Sequence, residues 1–198
     1  SLQVTVTEEP SACPLNIAFG SSANVAGGNL YHSQTLFFIR NSRLLGDFIL
    51  FYNSHRGNKV PLGMGWTHGY HISLKPNNDG SYTLIEGDGS RTVLYAHGEF
   101  FTPRTSPYPA LLKNADGTYF LQYKNGLIYL FDTSGRITRM EDRNGNALTF
   151  SYHASDNLES ISDVSGVMIR FAYDSFNRIA GILDPNGNDH HFTYSGDF

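Results

Sequence analysis

Cysteine is nearly absent: Cys13 is the one thiol in 198 residues, so no disulfide can form within the chain. That scarcity leaves the compartment open, because an exported protein of this size does not need stapling. Charge is scarce as well. Charged residues make up 16%, the net charge is −4, and the 14 Lys and Arg are scattered. With no basic stripe to neutralise phosphates, the sequence argues against nucleic-acid binding. Long apolar runs are also missing. None reaches the ~18 residues that a membrane helix requires, and the longest, Phe48-Ile49-Leu50-Phe51-Tyr52, is strand-sized, so no membrane insertion is expected. No secretion signal stands at the start, and Ser1 in place of Met suggests a piece of a longer protein.

What the chain does have is aromatic: 14 Phe, 12 Tyr and one Trp, together with 20 Gly. That mixture favours sheets joined by tight turns over helices, in a chain long enough to bury a core.

A repeat emerges from counting. Tyr152, Tyr173 and Tyr194 are spaced by 21 residues, as are Asp142, Asp163 and Asp184, and Gly145, Gly166 and Gly187. Apolar positions keep the same ruler: Ile137, Leu158 and Ile179; Phe150, Phe171 and Phe192; Leu148 and Ile169, followed by His190. Each unit reads as a hairpin. In the first, strands at Ile137–Glu141 and Ala147–Tyr152 flank Asp142-Arg143-Asn144-Gly145-Asn146, and Asn-Gly is a strong hairpin signal because both residues tolerate positive φ. Leu148, Phe150 and Tyr152 alternate with Ala147, Thr149 and Ser151, giving one apolar face. Ile137 and Met140 are three apart, as are Leu158 and Ile161, and Ile179 and Ile182, which predicts a bulge or a strong local twist in each first strand.

Longer units precede these. Asp79-Gly80-Ser81-Tyr82-Thr83-Leu84 matches Asp116-Gly117-Thr118-Tyr119-Phe120-Leu121 at an offset of 37, with Gly89 and Gly126 in the same relation. The segment 97–109, with three prolines, is expected to be the loop between two such hairpins. A looser hairpin is predicted before them, with strands near 35–41 and 47–53, and the first ~25 residues show no period. The fold class expected is all-β: stacked antiparallel hairpins forming a curved, twisted open sheet. The organisation expected is an irregular leader over 1–25, a block of longer hairpins over 26–132 and three 21-residue repeats over 133–196. A last hairpin ending at Tyr194 should present an unpaired edge.

These units resemble the YD repeats of Rhs-family proteins. The Tyr-Asp pair stands intact at Tyr173-Asp174, whereas Tyr152 is followed by His153 and Tyr194 by Ser195. Gly28-Asn29-Leu30-Tyr31, Phe51-Tyr52-Asn53-Ser54 and Pro61-Leu62-Gly63-Met64-Gly65-Trp66-Thr67-His68 are similar to the block that opens the repeat region in bacterial Rhs and YD proteins, so the resemblance spans roughly 24–196. It implies a section of a hollow β shell that encloses a C-terminal toxin in bacterial relatives, while animal teneurins share the architecture and work in cell adhesion. It also implies a secreted or cell-envelope location. Implied partners are further YD repeats or neighbouring domains of a parent chain, with an enclosed toxin domain or carbohydrate as further candidates. The aspartyl self-cleavage segment and cargo domain of many bacterial members are not recognisable in this sequence.

Candidate sites favour the structural explanation. His68 and His71, three apart, would point to opposite faces of a strand, a poor arrangement for joint metal ligation. His190 and His191 also alternate, and His190 takes an apolar repeat position, where the stack would fray or meet a missing neighbour. Asp142, Asp163 and Asp184 read as turn residues that accept local N–H bonds rather than as paired catalytic carboxylates. Glu86-Gly87-Asp88-Gly89 lacks the further ligands that calcium needs. Gly63-Met64-Gly65-Trp66 is expected to be a tight corner with Trp66 packed under it, and Cys13 has no legible partner. The sequence therefore names no catalytic residue, no metal ligand and no cofactor, and it leaves the binding residues unassigned. The function expected is a non-catalytic module that scaffolds or encapsulates. The rival is a carbohydrate or cell-surface binding module using exposed aromatics.

Overall fold

A computed structural model describes residues 3–7, 22–24, 29–54 and 61–195 of the chain. Among the described residues there are eighteen strands and no helix. The first five are β1 (Gln3–Thr7), β2 (Ser22–Asn24), β3 (Asn29–Phe37), β4 (Phe48–Asn53) and β5 (Trp66–His68). The middle of the chain forms β6 (Ser73–Pro76), β7 (Tyr82–Ile85), β8 (Arg91–His97), β9 (Phe100–Thr102), β10 (Ala110–Lys113), β11 (Tyr119–Gln122) and β12 (Ile128–Phe131). Six more follow as three hairpins: β13 (Ile137–Glu141) with β14 (Ala147–Tyr152), β15 (Leu158–Asp163) with β16 (Met168–Tyr173), and β17 (Ile179–Leu183) with β18 (Asp189–Ser195).

Strands β6 to β18 lie side by side in chain order, antiparallel throughout, and β1 adds to β18 in parallel to make a 14-stranded sheet. Strands β2 to β5 form a separate four-stranded sheet. All-β architecture built from successive hairpins is therefore what the chain adopts. The two strands predicted for the first repeat have the observed limits.

Alternation explains the buried face. Leu148 and Phe150 of β14 are buried while Thr149 is exposed, and Ile169 and Phe171 of β16 repeat the pattern around Arg170. The first strands of the repeats bulge. Ser151 pairs with Ser160 but Tyr152 with Leu158, so Glu159 is the extra residue. Thr138 and Ala180 are extra in the same way, 21 residues to either side. Each bulge turns the chain by one residue, which puts Ile137 and Met140, Leu158 and Ile161, and Ile179 and Ile182 on one buried face.

The sheet does not stay flat. Its first seven strands curl until the Leu74 N–H donates to the Gly135 carbonyl at 2.8 Å, in the turn between β12 and β13. Inside this roll lie Leu84, Leu94, Leu111 and Leu121, and Tyr82 meets Tyr119 at 5.3 Å between ring centroids. The buried face of the later strands is covered by the four-stranded sheet. Phe48 reaches Phe171 at 6.0 Å, Tyr70 reaches Phe150 at 6.5 Å, and the Ile179 N–H donates to the Pro61 carbonyl at 2.7 Å.

Three expectations need correction. The strand placed near 35–41 runs from Asn29 to Phe37, because its ladder with β4 pairs Tyr31 with Asn53 and Thr35 with Ile49. The segment 97–109 is not all loop: Gly98 turns the chain at positive φ, and Phe100–Thr102 continues the sheet between β8 and β10. The edge at β18 is not bare, because β1 pairs with it from Gln3↔His191 to Thr7↔Ser195.

Candidate functional site

The working surfaces of the fold are its turns, its bulges and the seam between the two sheets. Each repeat turn begins with an aspartate whose Oδ1 accepts two backbone N–H bonds. Asp142 takes them from Asn144 at 2.8 Å and Asn146 at 2.9 Å. Asp163 takes them from Ser165 and Val167, and Asp184 from Asn186 and Asn188. At the opposite ends of the hairpins Asp132 and Asp174 do the same. The Asn146 side-chain amide leads in holding the Asp142 carboxyl below its ordinary range. For Asp163 and Asp184 burial works against the charge, yet the hydrogen bonds outweigh it and the net direction is again down. These carboxylates hold turns.

Tyrosine closes each bulge. The Tyr152 hydroxyl donates to the Ile137 carbonyl at 2.8 Å, that of Tyr173 to Leu158 at 2.9 Å, and that of Tyr194 to Ile179 at 2.7 Å. Each accepting carbonyl precedes the extra residue, where the ladder is locally interrupted. Burial pushes all three phenols up. The Tyr-Asp pair at Tyr173-Asp174 thus joins two tasks in adjacent residues, one capping a bulge and the next starting a turn. A guanidinium covers two of the rings: Arg136 lies 4.8 Å over Tyr152 and Arg178 lies 4.5 Å over Tyr194. These arginines are fixed by Asp132 and Asp174, both at 2.7 Å. In the middle repeat His153 and Asn157 stand at the corresponding positions, and Tyr173 receives the edge of His153 at 6.4 Å instead.

The seam between the sheets is a stack of rings. His190 lies 4.9 Å from Phe37, Phe37 lies 5.0 Å from Phe48, Phe48 lies 5.2 Å from His68, and His68 lies 5.4 Å from Phe171. His68 is buried at 2% exposure, and its Nδ1 has no hydrogen-bond partner among the described residues. Burial holds its imidazole well below the ordinary range, and His71 pushes it the same way. The prediction that His68 and His71 face apart is overturned. Strand β5 ends at His68, a turn closed by the His71 N–H to the His68 carbonyl at 2.8 Å follows, and the rings meet at 5.6 Å. His190 does not fray: it meets Phe37, and its Nε2 lies 3.3 Å from Asp184 Oδ2. His191 is exposed, as alternation requires.

The remaining candidates among the described residues lie in turns and packed corners. Glu86 opens a turn in which the Gly89 N–H donates to its carbonyl at 2.8 Å, while its carboxylate receives the Tyr123 hydroxyl. Gly63 and Gly65 turn at positive φ, and half-buried Trp66 packs on Tyr52 at 5.2 Å. Cys13 lies outside the described residues. Among the described residues no cluster of three or more His, Cys, Asp or Glu could hold a metal ion. Sequence reasoning missed the tyrosine-to-bulge bonds, the Glu86–Tyr123 pair, and a cavity of about 130 Å³ beside His68 and Arg136. The recurrence of Tyr opposite each three-residue apolar spacing was the signal for the first.

Comparison with known families fits this architecture. Residues 20–94 match a family model described as a domain of unknown function, DUF6531, and residues 117–198 match the teneurin YD-shell model. No match was found among curated proteins. Two matches in succession, the first from the covering sheet into β8 and the second over the repeat hairpins, support an Rhs/YD-repeat protein fragment with a structural β-shell module.

Proposed function

We propose that the chain is a non-catalytic section of a YD-repeat shell that scaffolds or encloses a toxin or effector domain, in a protein secreted by or displayed on a bacterial cell. The observation that carries this reading is the run of antiparallel neighbours from β6 to β18, in which bulge, tyrosine cap and aspartate turn recur in one register. A unit that joins only its neighbours builds a wall of any length without a new kind of contact. The test is limited proteolysis of the parent protein against the same downstream domain expressed alone. Shielding of that domain in the parent, lost when residues 117–198 are deleted, is the expected result; equal cleavage in both would sink the proposal.

A second reading, carbohydrate binding, draws on an open groove of about 470 Å³ between the β8–β9 hairpin and the loop at 103–107. Its Tyr95 ring carries Arg104 at 4.2 Å, and the exposed Phe38, Phe100, Tyr108 and Phe176 lie on separate elements. A glycan array with Tyr95→Ala as control decides it: binding that survives the substitution rules this groove out.

A further inference from the structure

We infer that His68 is an acid-sensitive latch: its protonation releases the four-stranded sheet from the repeat hairpins while both sheets keep their own strands. The geometry sets the terms. The imidazole packs on both Phe48 of β4 and Phe171 of β16, at 5.2 and 5.4 Å, and those two rings meet at 6.0 Å, so His68 is one corner of a three-ring cluster at the seam itself. A neutral imidazole suits a stack of phenyl rings; an imidazolium there has lost its water and needs an acceptor for a second N–H. Nδ1 has none among the described residues.

Nearby charges do not supply one. Its own turn contributes Tyr70, whose hydroxyl donates to the Gly46 carbonyl at 2.8 Å, and His71, which adds charge of the same sign in acid. Strand β4 offers only Phe48 and, in register with His68, Leu50. The small cavity beside it brings Arg136, Asp156, Tyr152 and Tyr173 from the repeat side. Asp156 is engaged by Arg136, Tyr152 and Tyr173 donate to backbone carbonyls, and Arg136 is a cation. His190, at the other end of the stack, differs because the Asp184 carboxylate stands beside it.

The sign follows from linkage. With its pKa held below the ordinary 6.5, His68 leaves the docked state with fewer protons than the separated one. Docking is therefore unaffected above about pH 6.5 and weakens as pH falls below it. Separation uncovers Phe150, Phe171 and Phe48 but breaks no ladder within either sheet. This inference is independent of the cargo reading.

The experiment is a titration of the full chain from about pH 7.5 to about pH 5, following a hydrophobic dye, far-ultraviolet circular dichroism and hydrogen exchange at Ile179. Expected is a several-fold rise in dye emission and loss of protection at the Ile179 N–H, with the dichroism unchanged. His68→Phe keeps the stack and cannot titrate, so the rise should vanish; His68→Leu serves if the phenyl ring does not fit. His71→Gln should move the midpoint to lower pH. The idea fails if wild type shows no rise, if both His68 variants keep it, or if dichroism collapses with it. It fails equally if His190→Phe alone abolishes the response.

Discussion

The Tyr173 hydroxyl donates to the Leu158 carbonyl at 2.9 Å, one residue before the bulge at Glu159, and so joins the end of one hairpin to its own beginning. Removing that hydroxyl leaves a partly buried carbonyl without its donor. Tyr173→Phe is expected to destabilise the chain by about 1–2 kcal/mol, the range for an orphaned buried acceptor. Tyr194→Phe should cost at least as much, because its hydroxyl also reaches the Pro61 carbonyl at 3.2 Å across the seam. Equilibrium urea denaturation measures both, and a loss below about 0.5 kcal/mol for Tyr173→Phe would mean that water replaces the phenol.

Two glycines should respond very differently to alanine. A Cβ on Gly87 would lie 2.0 Å from the Gly69 carbonyl oxygen, a backbone atom that cannot step aside. Gly145 has nothing within 4 Å, and its φ of +78° is the whole obstacle. Gly145→Ala should therefore cost about 1–2 kcal/mol, the left-handed penalty, whereas Gly87→Ala should cost about 3 kcal/mol or more through displaced backbone. Thermal unfolding of the two variants side by side checks the order.

The turn carboxylates define a second acid window, separate from that of His68. Asp142, Asp163, Asp174 and Asp184 all titrate below their ordinary 3.8 in the folded chain. Their contribution is complete above that value and is lost as pH falls through the lowered one. A His68→Phe chain should accordingly show no loss of stability down to about pH 4 and lose it below. Asp142→Asn, at a turn carboxylate with no histidine beside it, should shrink the lower-pH loss without touching the behaviour near pH 6. Stability measured by denaturant at stepped pH separates the two windows, and a single merged transition would contradict the assignment.

What the sequence disclosed and what it hid have physical causes. The repeats were legible because Tyr173, Asp163 and Gly166 serve one backbone geometry that recurs every 21 residues, and spacing records geometry of that kind. The irregularity of the first strands showed too, since Leu158 and Ile161 share a face only where a strand bulges or twists strongly, and the ladder has a bulge there. The Tyr173 acceptor did not show, because a carbonyl carries no letter. His68 and His71 were misplaced because alternation was carried through a strand that stops at His68. The pairing of β1 with β18 was invisible for another reason: the contact joins Gln3 to His191, and nothing local in Gln3–Thr7 announces a partner so distant.

Glu86 gives the last prediction, with a sign opposite to that of the turn aspartates. Its carboxyl is pushed above its ordinary 4.5, mainly by burial, with Asp88 adding to the rise and the Tyr123 hydroxyl opposing it. The folded chain thus binds this proton more tightly than the unfolded one. At neutral pH the buried charge costs stability, and the cost fades as pH falls through the raised value. Glu86→Gln keeps an oxygen for Tyr123 and removes the charge, so it should stabilise the chain near pH 7 and lose that advantage near pH 4.5. Glu86→Leu removes the acceptor too and leaves the Tyr123 hydroxyl with Tyr129 alone, at 5.0 Å between rings, which should cost about 1 kcal/mol at any pH. Denaturation of the three chains at both pH values tests the pair. If Gln destabilises at neutral pH as much as Leu does, the ionised carboxylate is a net contributor and burial is not what governs it.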